Sequence, residues 1–506
     1  MSMSVCLWVF LLLVLISQVS AKGNVLGGGM HASRSHLASM MPVAVRLSKE
    51  DLSVHFLESF SGEEFSFPPN ITAHRFKTPA NPVHAKQLTT AGWRRTFSPE
   101  VIYELMKIGD DAFLNMQNLH PRKIETLLST NWSLTIVDEL FGTSMYGLAA
   151  YHHDRFKTPY IIHSTTTLIH VFAWNMGLGR SLIHRPSFWF PYNDNVRFDV
   201  TKFRQRLRAV TNALIVAGSM NFLTQNFDIK GIRQIGVEDF SFFNSWNQQA
   251  YNFHDDLMHF SFPAPISNEV KHVGRHCVNA KKLAPEFLDF VEDPASKGTI
   301  FIAFGTNVYW EFAPEHILDA FFDAVTELKD YRVVFSYNGL KPNRTIGSHV
   351  KLVSWSPQVE ILSHKSTRLF ITHGGLKSLR EAICTAVPLI ILPMAAEQTH
   401  NGAAVLEMGI AHVLSKFTIS KKKLFGSIME ILENPSYKST SLKIQRQFLD
   451  LPIPALDKAA FYANRAIRLK DRPTTFKIEG SKLSWSDTLY LPLISCFLFV
   501  AGVLSQ

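Results

Sequence analysis

The chain has 506 residues, and 51 Lys and Arg against 42 Asp and Glu give it a formal net charge of +9. Its 46% apolar and 18% charged residues, with 26 Gly and 24 Pro, exclude disordered, collagen-like and low-complexity classes. Four Cys cannot staple a chain of this length, so its cores must be hydrophobic, in two to four domains at roughly 100–200 residues each. The weak basic excess suits anionic ligands or a membrane surface without requiring either, and no nucleic-acid partner is expected.

The chain opens with an apolar run from Val5 to Ile16, followed by Ser17-Gln18-Val19-Ser20-Ala21. An apolar stretch of this length before small residues reads as a secretory signal over residues 1–21, although no Lys or Arg precedes it. Residues 22–280 then form the first domain. Strands are predicted at Ser53–Leu57, Leu134–Val137 and Tyr160–His163. His152-His153-Asp154 is expected in a solvated turn before the last of these. The stretch Asn175–Phe262 is aromatic and irregular, and reads as loops and helices that shape an apolar pocket, a membrane-facing surface or ordinary core. Polar residues with two prolines place a linker at 281–297.

The second domain, 298–450, alternates cleanly. Strands are predicted at Thr299–Phe304, Arg332–Ser336, Val350–Val353, Leu369–Thr372 and Leu389–Leu392, with helices such as Pro314–Leu328 and Leu376–Cys384 between them. This alternation predicts an α/β fold with parallel, doubly wound sheets. Helices over 451–484 are expected to pack back on the body. Trp485 to Leu504 then just reaches the length of a membrane span; the basic residues before it oppose the positive-inside rule, but the signal peptide is expected to dominate and put the body in the lumen. Cys277 and Cys384 are the two cysteines left for the folded body, as one disulfide or as two buried thiols. Sequons at Asn70, Asn131 and Asn343 agree with a secretory route and are candidate glycosylation sites.

The sequence holds no Gly-Lys dipeptide, hence no P-loop, no Gly-x-Ser-x-Gly and no Asp-x-Asp. Cys-x-x-Cys and His-Glu-x-x-His are absent too, and no metal site is expected. The informative segment is 355–398, WSPQVEILSHKSTRLFITHGGLKSLREAICTAVPLIILPMAAEQ. A strand runs straight into His373-Gly374-Gly375, and a helix begins there. Glycines let the backbone approach a ligand, and the first helical N–H groups are unpaired and favour an anion, so a pyrophosphate fits this junction. His373, Ser378 and Lys377 add donors. Glu381, one turn beyond Ser378, can accept from ribose hydroxyls. Trp355 offers a π-face to a base. Glu397-Gln398, delivered to the same sheet edge by the next strand, suit sugar hydroxyls.

Trp355, Gln358, Ile361, Leu362, Thr372, His373, Gly375, Ser378, Ala382, Pro388, Pro393, Glu397 and Gln398 resemble, position by position, the signature of the UDP-glycosyltransferases that include the UDP-glucuronosyltransferases. The resemblance implies a GT-B architecture, two Rossmann-like domains facing a cleft. It implies that Trp355 stacks on uracil and that Gln358 and Glu381 contact ribose. His373, Gly375 and Ser378 would hold the pyrophosphate with Thr306 nearby, and Glu397 and Gln398 the donor sugar. Where the family often has Asp and Asn, this chain has Glu397 and Lys377. By the same resemblance, Val25-Leu26 is the end of a first strand, Ser35-His36 after it supplies the catalytic base and Asp138 the carboxylate that orients it, with His31 and Glu139 as local rivals.

The expected activity is inverting, metal-independent transfer of a hexose or hexuronic acid from UDP-glucose or UDP-glucuronic acid to a hydroxyl of a small lipophilic acceptor, without a cofactor. The alternative is a catalytically silent member that binds UDP or lipid. The expected setting is the endoplasmic reticulum membrane, single-pass with a lumenal body, and the resemblance hints at a homodimer.

Overall fold

The computed structural model describes residues 23–505, apart from 80, 81, 98, 100, 141, 168, 179–185, 190–192, 256, 258, 259, 261, 471–476 and 489. The expected signal peptide lies outside the described residues.

Two sheets carry the chain, and every described strand pair in them is parallel. The first holds β1 (Gly23–Gly28), β2 (Leu52–Phe60), β3 (Ile71–Lys77), β4 (Leu134–Asp138), β5 (Tyr160–Ser164), β6 (Tyr251–His254) and β7 (Val270–His272), in the order 3-2-1-4-5-6-7. The second holds β8 (Thr299–Ala303), β9 (Arg332–Ser336), β10 (Val350–Val353), β11 (Thr367–Thr372), β12 (Leu389–Ile391) and β13 (Ala411–Val413), in the order 10-9-8-11-12-13. Central strands β4 and β8 are buried along their whole length, as a parallel sheet with helices on both faces requires, and so read as continuous apolar runs such as Thr-Ile-Phe-Ile-Ala. In each sheet the strand order reverses between two neighbours, β1 and β4 in one, β8 and β11 in the other. Loops leaving the carboxyl ends of strands at such a reversal diverge and open a crevice. This topology decides where the site lies.

The eight strands predicted as full segments are present, and the Val25-Leu26 strand extends over Gly23–Gly28. Four more strands carry weaker signals. β6, Tyr-Asn-Phe-His, is half polar, yet all four residues are buried. The 281–297 stretch is more than a linker: Pro285 opens a seven-residue helix, Pro285–Val291, which buries Phe287 and Val291 in the core of the second domain. His152-His153-Asp154 lies in the last turns of helix Thr143–Phe156, not in a solvated turn, and the buried His152 ring makes a 3.0 Å hydrogen bond to the Leu127 carbonyl. Asn175–Phe262 divides. Phe242 and Trp246 are core, with Phe172 stacked on Trp246 at 4.4 Å, while Phe203, Leu207, Leu214, Phe222 and Phe227 along helix Phe203–Gly218 and its continuation stay exposed.

The domains are joined in several places. Helix Ala455–Arg468 returns to the first domain and buries Ala459, Ala460, Ala463 and Ala466 against the cluster holding Met40, Val43 and Leu47. Alanine at these spacings lets the helix lie close. Cys277 and Cys384 form a disulfide that ties the end of the first domain to helix Leu376–Thr385 of the second. One turn back on that helix, Arg380 meets Asp255 at 3.1 Å, and both are buried. Burial pushes the Asp255 carboxyl up, but Arg380 together with His163 and His276 outweighs it and holds the group well below the usual carboxylate range. Asn70, Asn131 and Asn343 all lie at exposed positions.

The expected continuous span over 485–504 does not form. Short helix Trp485–Thr488 ends before Tyr490, whose φ of 55° breaks the run, and a new helix, Leu491–Leu504, begins with Pro at its start. Its 14 residues rise about 21 Å, against the ~30 Å of a hydrocarbon core. Among the described residues no helix is long and apolar enough to cross a membrane.

Breaking the interdomain ion pair leaves a buried charge alone. Arg380→Met is expected to lower the unfolding free energy by about 3–5 kcal/mol, and Asp255→Leu/Arg380→Met to recover much of that loss, in urea denaturation of the full chain.

Candidate functional site

Both halves of the site grow from the two reversal points. In the first domain β1 ends in Gly29-Met30, and the chain turns into helix Arg34–Leu47, whose first turn carries His36. Its neighbour β4 ends on Asp138. The two side chains meet across the crevice, with His36 Nδ1 2.7 Å from Asp138 Oδ2. Asp138 is fully buried and also accepts from the Met30 N–H at 2.9 Å and the Thr165 hydroxyl at 3.0 Å. With a carboxylate facing it, Nδ1 carries the proton, and Nε2 is the nitrogen left to accept one. Burial lowers the His36 pKa, but Asp138 beside it, with the more distant Glu397 and Glu139, raises it further, and the net shift is upward.

The rivals are placed elsewhere. His31 turns to Ser59, 2.7 Å away, and burial lowers its pKa. Glu139 is buried and accepts from the backbone N–H and the hydroxyl of Thr166, and burial raises its carboxyl to about 8. A protonated Glu139 beside Asp138 avoids placing two carboxylates in one buried site.

Three consecutive threonines after β5 were not legible as site residues. Thr165 reaches Asp138, Thr166 reaches Glu139, and Thr167 donates to Asn401 Oδ1 in the second domain at 3.1 Å. Asn401 in turn donates to the Gly374 carbonyl at 2.9 Å. The available signal was a run of hydroxyls directly after an apolar strand.

In the second domain β8 leads to Gly305-Thr306 and β11 to His373-Gly374-Gly375, again at the two strands that flank a reversal. The His373 ring lies between the two loops. A Cβ on Gly375 would stand 2.7 Å from its Nε2, and one on Gly305, whose φ is +72°, 3.0 Å from its Cε1. Neither position has room for a larger residue while the ring stays. Burial lowers His373 to about 4, so at neutral pH it is an uncharged hydrogen-bonding group. Thr306 is exposed at the mouth of this loop.

Helix Leu376–Thr385 starts at Gly375 and points its free N–H groups into the crevice. Ser378 and Glu381 are on its buried face, and Gln358 bridges them, donating to Ser378 Oγ at 3.1 Å and to Glu381 Oε2 at 2.6 Å. Lys377 is half-exposed, with Nζ 4.0 Å from Glu381 Oε1. Trp355 is 71% exposed, so its ring face is open to a planar ligand. Glu397 caps helix Gln398–Glu407. Burial raises its carboxyl, while His36 across the cleft pulls it down, which places the two groups within electrostatic reach. Gln398 Oε1 accepts from the N–H groups of Met394 and Ala395 at 2.8 and 2.9 Å. The structure thus brings His36 to Asp138 and Gln358 to Ser378 and Glu381, and it seats His373 against Gly375, while Asn70, Asn131 and Asn343 lie apart from these groups. Among the described residues no cluster of three or more His, Cys, Asp or Glu could hold a metal ion.

The comparisons with known proteins bear on the family and the fold. The family described as UDP-glucoronosyl and UDP-glucosyl transferase matches residues 179–503. Human UDP-glucuronosyltransferase 2B17 is 25% identical over 477 residues, which cover 93% of this chain and 82% of that protein. Mouse UDP-glucuronosyltransferase 2A3 is 30% identical over 245 residues, covering 48% of this chain and 45% of that protein. Among solved structures, Phytolacca americana UGT2 complexed with UDP-2-fluoro-glucose and pterostilbene superposes with a TM-score of 0.59 at 16% identity, over 88% of this chain and 99% of that one. The glycotransferase of kitacinnamycin gives 0.59 at 15% identity, over 88% and 98%. At such identities the structures speak for the fold, which is GT-B.

The pKa of His36 reports its partner directly. In Asp138→Asn the charge that raises it is gone and burial remains, so the pKa is expected to fall below the ordinary ~6.5. An NMR titration of the His36 ring resonances checks this, and a pKa that stays raised would show that Asp138 is not its cause.

Proposed function

Because the chain belongs to the UDP-glucoronosyl and UDP-glucosyl transferase family, we propose that it transfers a hexose or hexuronic acid from a UDP-sugar to a hydroxyl of a small lipophilic acceptor, with inversion and without a metal ion. The observation that carries this reading is the buried Asp138–His36 couple, 2.7 Å apart, facing Glu397 of the other domain across the cleft.

His36 takes the acceptor proton on Nε2, and Asp138 holds the ring and stabilises the imidazolium that forms. The acceptor oxygen attacks the anomeric carbon, and the bond to the UDP oxygen breaks on the opposite face. The negative charge that grows on the departing diphosphate meets the N-terminus of helix Leu376–Thr385, with Ser378 and the uncharged His373 as further donors and Thr306 at the loop mouth. Trp355 stacks on the uracil, Gln358 and Glu381 take the ribose hydroxyls, and Glu397 and Gln398 take the sugar. UDP-glucose and UDP-glucuronic acid are the two donors in view.

The acceptor enters from the first domain, whose exposed Phe203, Leu207 and Phe222 favour a membrane-proximal, lipophilic supply. We place the protein at the endoplasmic reticulum membrane with a lumenal body, glycosylated at the exposed Asn70, Asn131 and Asn343.

Incubation with both UDP-sugars and a panel of phenols and alcohols, read by mass spectrometry, should give an O-glycoside and one UDP per product; UDP binding without product on the whole panel would overturn the reading. His36→Ala is expected to cut kcat by about 10²–10⁴-fold with little change in UDP affinity. Because a protonated His36 cannot accept a proton, the rate should rise with pH through its raised pKa, an acid limb above ~6.5.

A further inference from the structure

Two donor loops of the second domain are gripped by one helix of the first. Helix Pro82–Arg94 sends Trp93 into the core of the second domain, where the ring lies 5.0 Å from Trp310 and stacks on Phe304 at 6.3 Å. The Trp93 Nε1–H donates to the Tyr309 carbonyl at 2.9 Å. Phe304 directly precedes Gly305-Thr306, so this insertion seats the loop that leads to the pyrophosphate.

The second grip is a lysine. Lys416, just beyond β13, is 1% exposed. Its Nζ donates to the Gly92 carbonyl in the same helix of the first domain, and to the Met394 carbonyl at 2.6 Å. Met394 opens the turn that presents Glu397 and Gln398. That turn is strained, because Ala396 has a φ of 52°, a left-handed conformation that a residue with a Cβ keeps only where its surroundings over-determine it. Gln398 holds the turn through the Met394 and Ala395 N–H groups, and Lys416 holds it through the Met394 carbonyl. Burial lowers the lysine to about 7. Both protonation states serve, since two carbonyls need two N–H groups and even the neutral amine has them.

We propose that Lys416 is a positioning residue for the donor sugar: by clasping the Gly92 carbonyl of one domain and the Met394 carbonyl of the other, it sets the Ala396 turn that aims Glu397 and Gln398. The inference rests on the reading above that Glu397 and Gln398 meet the sugar. It separates sugar from nucleotide, because the groups assigned to UDP, Trp355, Gln358, His373 and Ser378, lie on other segments.

The test uses the full chain with Lys416→Met and Lys416→Gln, each checked for an intact fold by its melting temperature. Amide exchange is followed in peptides covering 393–399, and affinities for UDP and UDP-glucose are measured by calorimetry. In Lys416→Met, exchange at 394–396 is expected to speed up on the order of tenfold, and UDP-glucose to bind about tenfold more weakly, while UDP changes less than about twofold. Lys416→Gln, which keeps a donor, should fall between, and it carries the test should the methionine variant not fold. Unchanged exchange at 394–396, or equal weakening of UDP and UDP-glucose, would overturn the proposal. Equal binding of UDP and UDP-glucose by the wild-type chain would instead overturn the sugar assignment of Glu397 and Gln398, and is visible before any variant is made.

Discussion

Asp138 is a carboxylate sealed at the end of a central strand, and much of the first domain's chemistry is arranged around satisfying it. An ion in such a place is costly unless donors surround it. The loop after β1 supplies the Met30 N–H, the first turn of the next helix supplies His36, and the loop after β5 supplies Thr165. Three segments far apart in the chain are thereby fixed relative to one another. The imidazole is held in one tautomer as a by-product of the same hydrogen bonds, which is what a general base needs. The neighbouring Glu139 escapes the like-charge conflict by remaining protonated, with its carboxyl at about 8.

The second domain solves a complementary problem with almost no charge. The diphosphate proposed to bind here is anionic, yet the groups nearest the β11 junction are backbone N–H groups, an uncharged histidine and a hydroxyl, with Lys377 turned along its own helix toward Glu381. Oriented dipoles at a helix terminus need no reorganisation when charge moves onto the leaving group. The packing of His373 between Gly305 and Gly375 makes the two loops one unit, so the loops after β8 and β11 cannot drift apart.

The proposed mechanism puts the base on one domain and the donor on the other, so it requires the domains to be held at one separation. The structure uses different fastenings at different places: the buried Arg380–Asp255 pair and the Cys277–Cys384 disulfide, Thr167 with Asn401, Trp93 with Tyr309, and Lys416 with the Gly92 carbonyl. Each joins residues more than 100 positions apart, which is why none announces itself in a linear reading.

What the sequence determined by itself is local. Apolar runs buried on both faces predict central parallel strands, and Thr-His-Gly-Gly followed by a helical period predicts an anion site, because strand, glycine turn and helix start are adjacent in the chain. The resemblance of that segment to a known family, and of Ser35-His36 and Asp138 to its catalytic pair, named the residues that the fold brings to one cleft. Tertiary structure decided everything that depends on distance across the chain: that His36 meets Asp138 while His31 turns to Ser59, that the cysteines pair, that a half-polar β6 is buried because neighbours cover it. It also decided that Tyr490 and Pro492 divide the apolar tail into two short helices, since a run of apolar residues states hydrophobicity and not where the backbone breaks.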